Sequence, residues 1–279
     1  MTKISRSDLL LVRELNLKYF GNKLTEHKEF MIHNRLKRLF RSQNTYTSIT
    51  NMLNAIARGE FVQEFINIFT TNKTSFFREP VHFEDLINRV FPNTFIDSNE
   101  ILIYSSASST GEEPYSIAAS FLHFQSQYQR KLKATVYATD IDTNVLQTAK
   151  DGIYKFNSKN SSFPKWIKPQ SFFKRRLLEN EEYDLIKANE ELRNIVKLSQ
   201  HNLLDRELPF KSKKFDVIFC RNVLIYFNPD DQKRILEKLF SSLKMGGTLY
   251  TGHSESPSML NDYVEKISPS IFKKHSEIV

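Results

Sequence analysis

The apolar run Ile101 to Tyr104 opens directly into small and acidic residues, Ser105-Ser106-Ala107-Ser108-Ser109-Thr110-Gly111-Glu112-Glu113-Pro114. Ligands of open α/β sheets sit beyond the carboxyl ends of strands, where small residues let them approach the backbone. The G-x-G-x-x-G fingerprint is missing, which argues against a pyrophosphate cradle. Two adjacent acids, Glu112 and Glu113, repel phosphate and suit a cationic or amine-bearing ligand. They also simply favour a helix dipole, and the pattern alone leaves both readings open. Asp140 closes the next apolar run, Thr135 to Ala138. An acid there can accept both ribose hydroxyls of a nucleoside. Asp142 competes for that role and reads better as a helix cap.

Two further stretches carry chemistry. In Asn72-Lys73-Thr74-Ser75-Phe76-Phe77-Arg78-Glu79, an arginine beside two aromatics is partly desolvated and clamps carboxylates well. An interdomain salt bridge over an aromatic core is the plainer alternative. Phe215 to Cys220 reads as a strand that runs into Arg221-Asn222 and then Tyr226-Phe227, again at a carboxyl edge. Cys220, inside the strand, is expected to be buried and inert.

Residues 1 to about 70 read as helical. Ser7 is the expected cap of a helix ending near Gly21, and Thr25 the cap of a basic helix reaching Arg41. Helical stretches follow at Ile49 to Arg58 and Phe61 to Phe69. Beyond residue 95, strands alternate with helices, which predicts an α/β domain with a mostly parallel sheet. Helices are expected over Glu112 to Gln125 and Pro229 to Lys244, the latter ended by Gly246-Gly247. Further strands are expected at Ile195 to Leu198 and Thr248 to Thr251. The polar stretch Lys155 to Asn194 breaks the rhythm and reads as an insertion.

Composition narrows the classes. The chain has 279 residues, 40% apolar, including 23 phenylalanines, enough for a sizeable core. A single cysteine excludes a disulfide framework or a multi-cysteine zinc site and fits a reducing compartment. No apolar run approaches the roughly 18 residues of a membrane span. The net charge of +8 points to an acidic partner without saying which.

Together these stretches resemble the CheR-type chemotaxis receptor glutamate methyltransferases. The matching pieces, in order, are His27-Lys28 to Arg41, Thr71 to Glu79, Ser109 to Ser116, Ala138 to Asp142, Gly152-Ile153-Tyr154, Phe219 to Phe227, and Gly252-His253-Ser254-Glu255. The resemblance covers nearly the whole chain except about Lys155 to Asn194. It implies a Rossmann-like domain using S-adenosyl-L-methionine, over residues 99–279 with an inserted subdomain at 155–194. A small N-terminal all-helical domain (1–72) and a linker contributing to the active site (73–98) precede it. Carried over, Asn72, Thr74 and Arg78 line the cofactor's methionine end, and Glu113 meets its amino group or adenosine side. Asp140 holds the ribose, while Asn202-Leu203 and Arg221-Asn222 flank adenine and the methionine portion. Tyr226 stands near the transferred methyl. Lys28, Arg35 and Arg38 on the basic helix are the expected docking face for methyl-accepting receptors, a solvated helix face being the alternative. One departure is the turn Ser105 to Ser109, which has no glycine where methyltransferases often have several. The implied protein is a cytoplasmic monomer that neither inserts in membranes nor binds nucleic acid. The rivals are a methyltransferase acting on nucleic acid or another protein, and a non-catalytic cofactor sensor. Arg221-Asn222-Val223-Leu224 lacks the Asn/Asp-Pro-Pro-aromatic motif typical of base amino-methylation, and Cys220 lacks the preceding proline of a base-attacking thiol. His253 and Glu255 have no chemical role in this reading beyond ordering a loop.

Overall fold

A computed structural model describes residues 4–22, 24, 26–43, 45–157, 163–178, 182–210 and 212–278. The N-terminal part packs α1 (Arg6–Phe20), α2 (Glu29–Ser42), α3 (Ile49–Ala57) and α4 (Val62–Phe69) around Val12, Ile32, Leu36, Met52, Phe65 and Phe69. The cap of α1 is Ser5, not Ser7. Asp8 lies three residues beyond Ser5, so a reciprocal capping box closes there: Asp8 N donates to Ser5 Oγ (3.1 Å) and Ser5 N to Asp8 Oδ2 (2.8 Å). The expected cap Thr25 lies outside the described residues.

The stretch read as a linker is helical over most of its length. α5 (Val81–Asp85), one π-helical turn (Leu86–Val90) and α6 (Phe91–Asp97) run on without a break. Phe83, Leu86, Phe91 and Phe95 bury this segment in the main core, where Phe91 and Phe95 meet Phe121 and Phe124. Those two partners belong to α7 (Glu112–Gln125), which follows β1 (Glu100–Ser105). Next come β2 (Lys133–Asp140), α8 (Thr143–Asp151), β3 (Ile153–Phe156), α9 (Pro169–Phe172), β4 (Phe173–Arg176) and β5 (Asp184–Ala188). After them are α10 (Glu190–Ile195), β6 (Val196–Gln200), β7 (Phe215–Cys220), α11 (Pro229–Ser242), β8 (Leu243–Thr251), β9 (Val264–Ser268) and β10 (Ile271–Lys274).

The main sheet has the order β6-β2-β1-β7-β8-β10-β9. Its first five strands are parallel, and β10 and β9 add an antiparallel edge. β1 neighbours both β2 and β7, so the strand order reverses there and a crevice opens beyond their carboxyl ends. Within the stretch read as an insertion, β3, β5 and β4 form a separate antiparallel sheet. That sheet begins at Ile153, and Ile195 ends a helix instead of starting a strand.

The last parallel strand begins at Leu243, earlier than expected, and contains Gly246-Gly247. Gly246 takes φ +73°, and a Cβ on Gly247 would lie 2.8 Å from both Leu243 Cδ1 and Lys244 O. The glycine pair therefore serves a bend inside the strand, where β7–β8 pairing also shifts register, and does not end the helix. No helix among the described residues is long and apolar enough to cross a membrane.

Candidate functional site: a cleft at the strand-order reversal

Ten side chains singled out in the sequence line one open cleft: Asn72, Thr74, Arg78, Glu113, Asp140, Asn202, Leu203, Arg221, Asn222 and Tyr226. Phe20 and Asn22, from the end of α1 and just beyond it, line it too, so the helical part walls one side.

Asp140 is buried at the end of β2. Its Oδ2 accepts Ser109 N (2.8 Å) and its Oδ1 accepts Asp142 N (3.0 Å). Burial pushes its carboxyl up to about 6, against the pull of these backbone donors. Ser109 delivers its N–H from a left-handed conformation, φ +49°, that usually falls to glycine. The glycine-free turn thus makes its close approach by straining a serine. Asp142 does cap α8, its Oδ1 accepting Asn144 N (2.9 Å). Its Oδ2 also accepts Thr70 Oγ1 (2.6 Å) and Asn72 Nδ2 (2.7 Å), a second task that local sequence gave no sign of. The same seam ties Gln63 to Ile141 O and Asn67 to Thr143. Asn202 joins it: Nδ2 donates to Tyr19 O (2.8 Å) and Oδ1 accepts Leu204 N (3.0 Å).

Arg221 is the best-buried charge in the cleft wall, its side chain 2% exposed. Nη1 donates to Glu113 Oε2 and Nη2 to Glu79 Oε2, both at 3.0 Å, and Nη2 also holds the Arg78 carbonyl. Its guanidinium stands 5.7 Å from the Phe83 ring centre and 5.9 Å from that of Phe219. Arg221 and Glu113, both expected to meet a ligand, are thus largely engaged with each other. Burial would raise the Glu79 carboxyl, but Arg221 and its other donors hold it below the ordinary range. Glu113 is buried enough to end above that range. Arg78 differs: its half-buried guanidinium makes one hydrogen bond among the described residues, Nη1 to Lys73 O at 3.0 Å. Its remaining donors are open to a ligand.

Phe77, Glu79 and Asn222 also take left-handed conformations, φ +51°, +59° and +57°. Such backbone costs of order 1–3 kcal/mol per residue and persists where surrounding contacts fix it. For Asn222 the fixing contact is Glu255. Its Oε2 accepts Asn222 N and Gly252 N, and its Oε1 accepts Leu224 N, all at 2.7 Å. The loop-ordering role is real and extends to the segment carrying Tyr226. A glutamine cannot satisfy all three donors, because one amide end is itself a donor. Glu255→Gln is expected to cost about 1–3 kcal/mol, read as a lower urea midpoint; an unchanged midpoint would count against the role.

Cys220 is fully buried, and burial pushes its thiol far above the ordinary range, so it is no nucleophile. Arg35, expected on a free docking face, is anchored: it donates to Phe69 O and to Thr71 Oγ1 (3.2 Å) beside the cleft. Arg38 is exposed and Lys28 partly so.

A cleft at the strand-order reversal, with a buried acid at the end of β2 and an arginine with open donors, stands where open α/β sheets hold their ligands. Residues 72–272 match the family model described as the CheR methyltransferase, SAM binding domain, and the chain belongs to the CheR methyltransferase family. It is 33% identical to the chemotaxis protein methyltransferase of Borreliella burgdorferi, over 98% of this chain and 95% of that protein. It is 38% identical to those of Salmonella typhimurium and Escherichia coli, over 86% of this chain and 80% and 81% of theirs. The cofactor is S-adenosylmethionine, and the residues fit it. Asp140 can accept hydroxyls, Arg78 has donors to spare for a carboxylate, and Ser106 and Ala107 keep the strand ends low.

Proposed function

We propose that the chain transfers a methyl group from S-adenosylmethionine to glutamate side chains of methyl-accepting chemotaxis receptors, giving glutamate methyl esters. What carries this reading is the placing of buried Asp140 and under-used Arg78 in one cleft of a CheR-family chain. The bound cofactor supplies a methyl group activated by positive sulfur. Arg78 takes the cofactor's carboxylate by charge-assisted hydrogen bonds. Asn72 and Thr74 line the same end, with Glu113 near the amino group. Asp140 accepts the ribose hydroxyls, and Asn202-Leu203 and Asn222 flank the remainder.

The substrate glutamate has an unperturbed pKa of about 4.3 and is ionised near pH 7, so no general base is required. Alignment can supply up to roughly 7–11 kcal/mol. A cation gripping the glutamate would stabilise the reactant more than the charge-neutralising transition state. Arg78 therefore serves the cofactor, and the neutral hydroxyl of Tyr226 orients the reacting groups.

Two measurements test the role of Asp140. Asp140 is ionised above about pH 6 and protonated below it. The ionised form accepts two hydroxyls and the protonated form gives up part of that capacity. Affinity for S-adenosylhomocysteine should hold from pH 8 to 7 and fall by up to tenfold per unit below 6. Asp140→Asn should bind weakly with a flat profile, and a flat wild-type profile would contradict the role. By the same linkage, the raised carboxyl stabilises the ligand-free fold most below 3.8, and this contribution is lost as pH rises through about 6.

Docking on α2 rests on exposed Lys37, Arg38 and Arg41 with Lys28 beside them; Arg35 is tied down. Labelled methyl donor with receptor-rich membranes should give base-labile label on receptor glutamates. Arg38→Glu should raise the receptor KM severalfold at constant cofactor affinity. Label appearing in nucleic acid would replace this reading by its rival.

A further inference from the structure

Glu79, His82 and His253 each bring one ligand-type atom within 4.8 Å of the other two. They come from separate places: the left-handed turn after Arg78, the start of α5, and the loop after β8. His82 is wholly buried, and its Nε2 lies 2.7 Å from Oγ of buried Ser270. With Nε2–H donating to that hydroxyl, Nδ1 is a bare lone pair. It has no hydrogen-bond partner among the described residues and stands 3.7 Å from Glu79 Oε2. A buried acceptor left so costs about 1–3 kcal/mol, a cost that a ligand at that nitrogen removes.

We propose that Glu79, His82 and His253 bind one divalent transition-metal ion, with a fourth position open to water. Two imidazoles and a carboxylate suit zinc, cobalt, nickel or copper and not magnesium or calcium. Outer partners that orient such ligands are already in place, Ser270 on His82 and Arg221 on Glu79. Tetrahedral bonds of about 2.0–2.2 Å set ligand atoms roughly 3.3 Å apart. The cluster therefore has to tighten by about 1–1.5 Å relative to that geometry, and His253, which is exposed, has the freedom to move and leaves an entry path. The site is tied to the cleft through Glu79, since that carboxylate also braces Arg221. Metal and cofactor occupancy are thus coupled, each altering the affinity of the other by one factor.

The test uses the full-length chain, free of any affinity tag and stripped with a chelator. Cobalt(II) is titrated while visible ligand-field absorption is followed. A band saturating at one equivalent is expected. His253→Ala, at an exposed position that keeps the fold, should weaken binding at least tenfold. His33→Ala, a histidine elsewhere on the surface, should leave it unchanged. No band at one equivalent, equal affinity in His253→Ala, or loss in His33→Ala would each overturn the proposal.

Discussion

Arg221→Ala should unfold at a much lower urea concentration than the parent chain. The guanidinium lies between Glu79 and Glu113, whose side chains are only 12% and 13% exposed. Removing one member of a buried ionic group leaves the others charged and unpaired, at about 3–5 kcal/mol. With urea slopes of roughly 1–3 kcal/mol/M, the midpoint should fall by at least about 1 M. A triple replacement, Arg221→Met with Glu79→Gln and Glu113→Gln, should recover most of the loss, because no buried charge is then left alone. A midpoint unmoved by Arg221→Ala would mean that solvent screens the triad. Since Nη2 also holds the Arg78 carbonyl, the single variant should weaken cofactor binding as well.

Arg78→Ala should behave in the opposite way, losing binding and keeping the fold. Among the described residues its guanidinium supports the structure only through Lys73 O, so the unfolding free energy should stay within about 0.5 kcal/mol of the parent's, as for ordinary surface changes. Hydrogen bonds to charged groups are worth about 1.5–3 kcal/mol. Affinity for S-adenosylhomocysteine should therefore drop roughly 10- to 150-fold in isothermal titration. Unchanged affinity would remove Arg78 from the cofactor. Comparing the two arginines separates a residue that holds the cleft together from one that uses it.

Much of the cleft was legible because its signals are local. The helix Glu112–Gln125 and the strand Phe215–Cys220 fall on the expected residues, as apolar runs bounded by turn-forming or polar breaks predict. Asp140, Arg78 and Asn222 stand at strand ends or in the connecting segment, where composition changes abruptly. What stayed hidden is long-range pairing between polar groups. Nothing near Glu255 shows that it will collect N–H groups of residues 222, 224 and 252. Glu79 and Asp142 likewise find partners far away in sequence. The β9–β10 hairpin was missed for another reason. As an edge strand, β9 buries only Val264, so it lacks the apolar run that marks an interior strand. The bend at Gly246-Gly247 was misread because glycine pairs end helices more often than they kink strands.

Cys220 has a practical consequence. As the chain's one sulfhydryl, sealed inside β7, it will ignore maleimides and iodoacetamides while the protein stays folded. A second thiol placed on the outer surface of α2 will therefore be the sole point of attachment. Fluorophores or spin probes can report receptor encounter without first stripping the native sulfur.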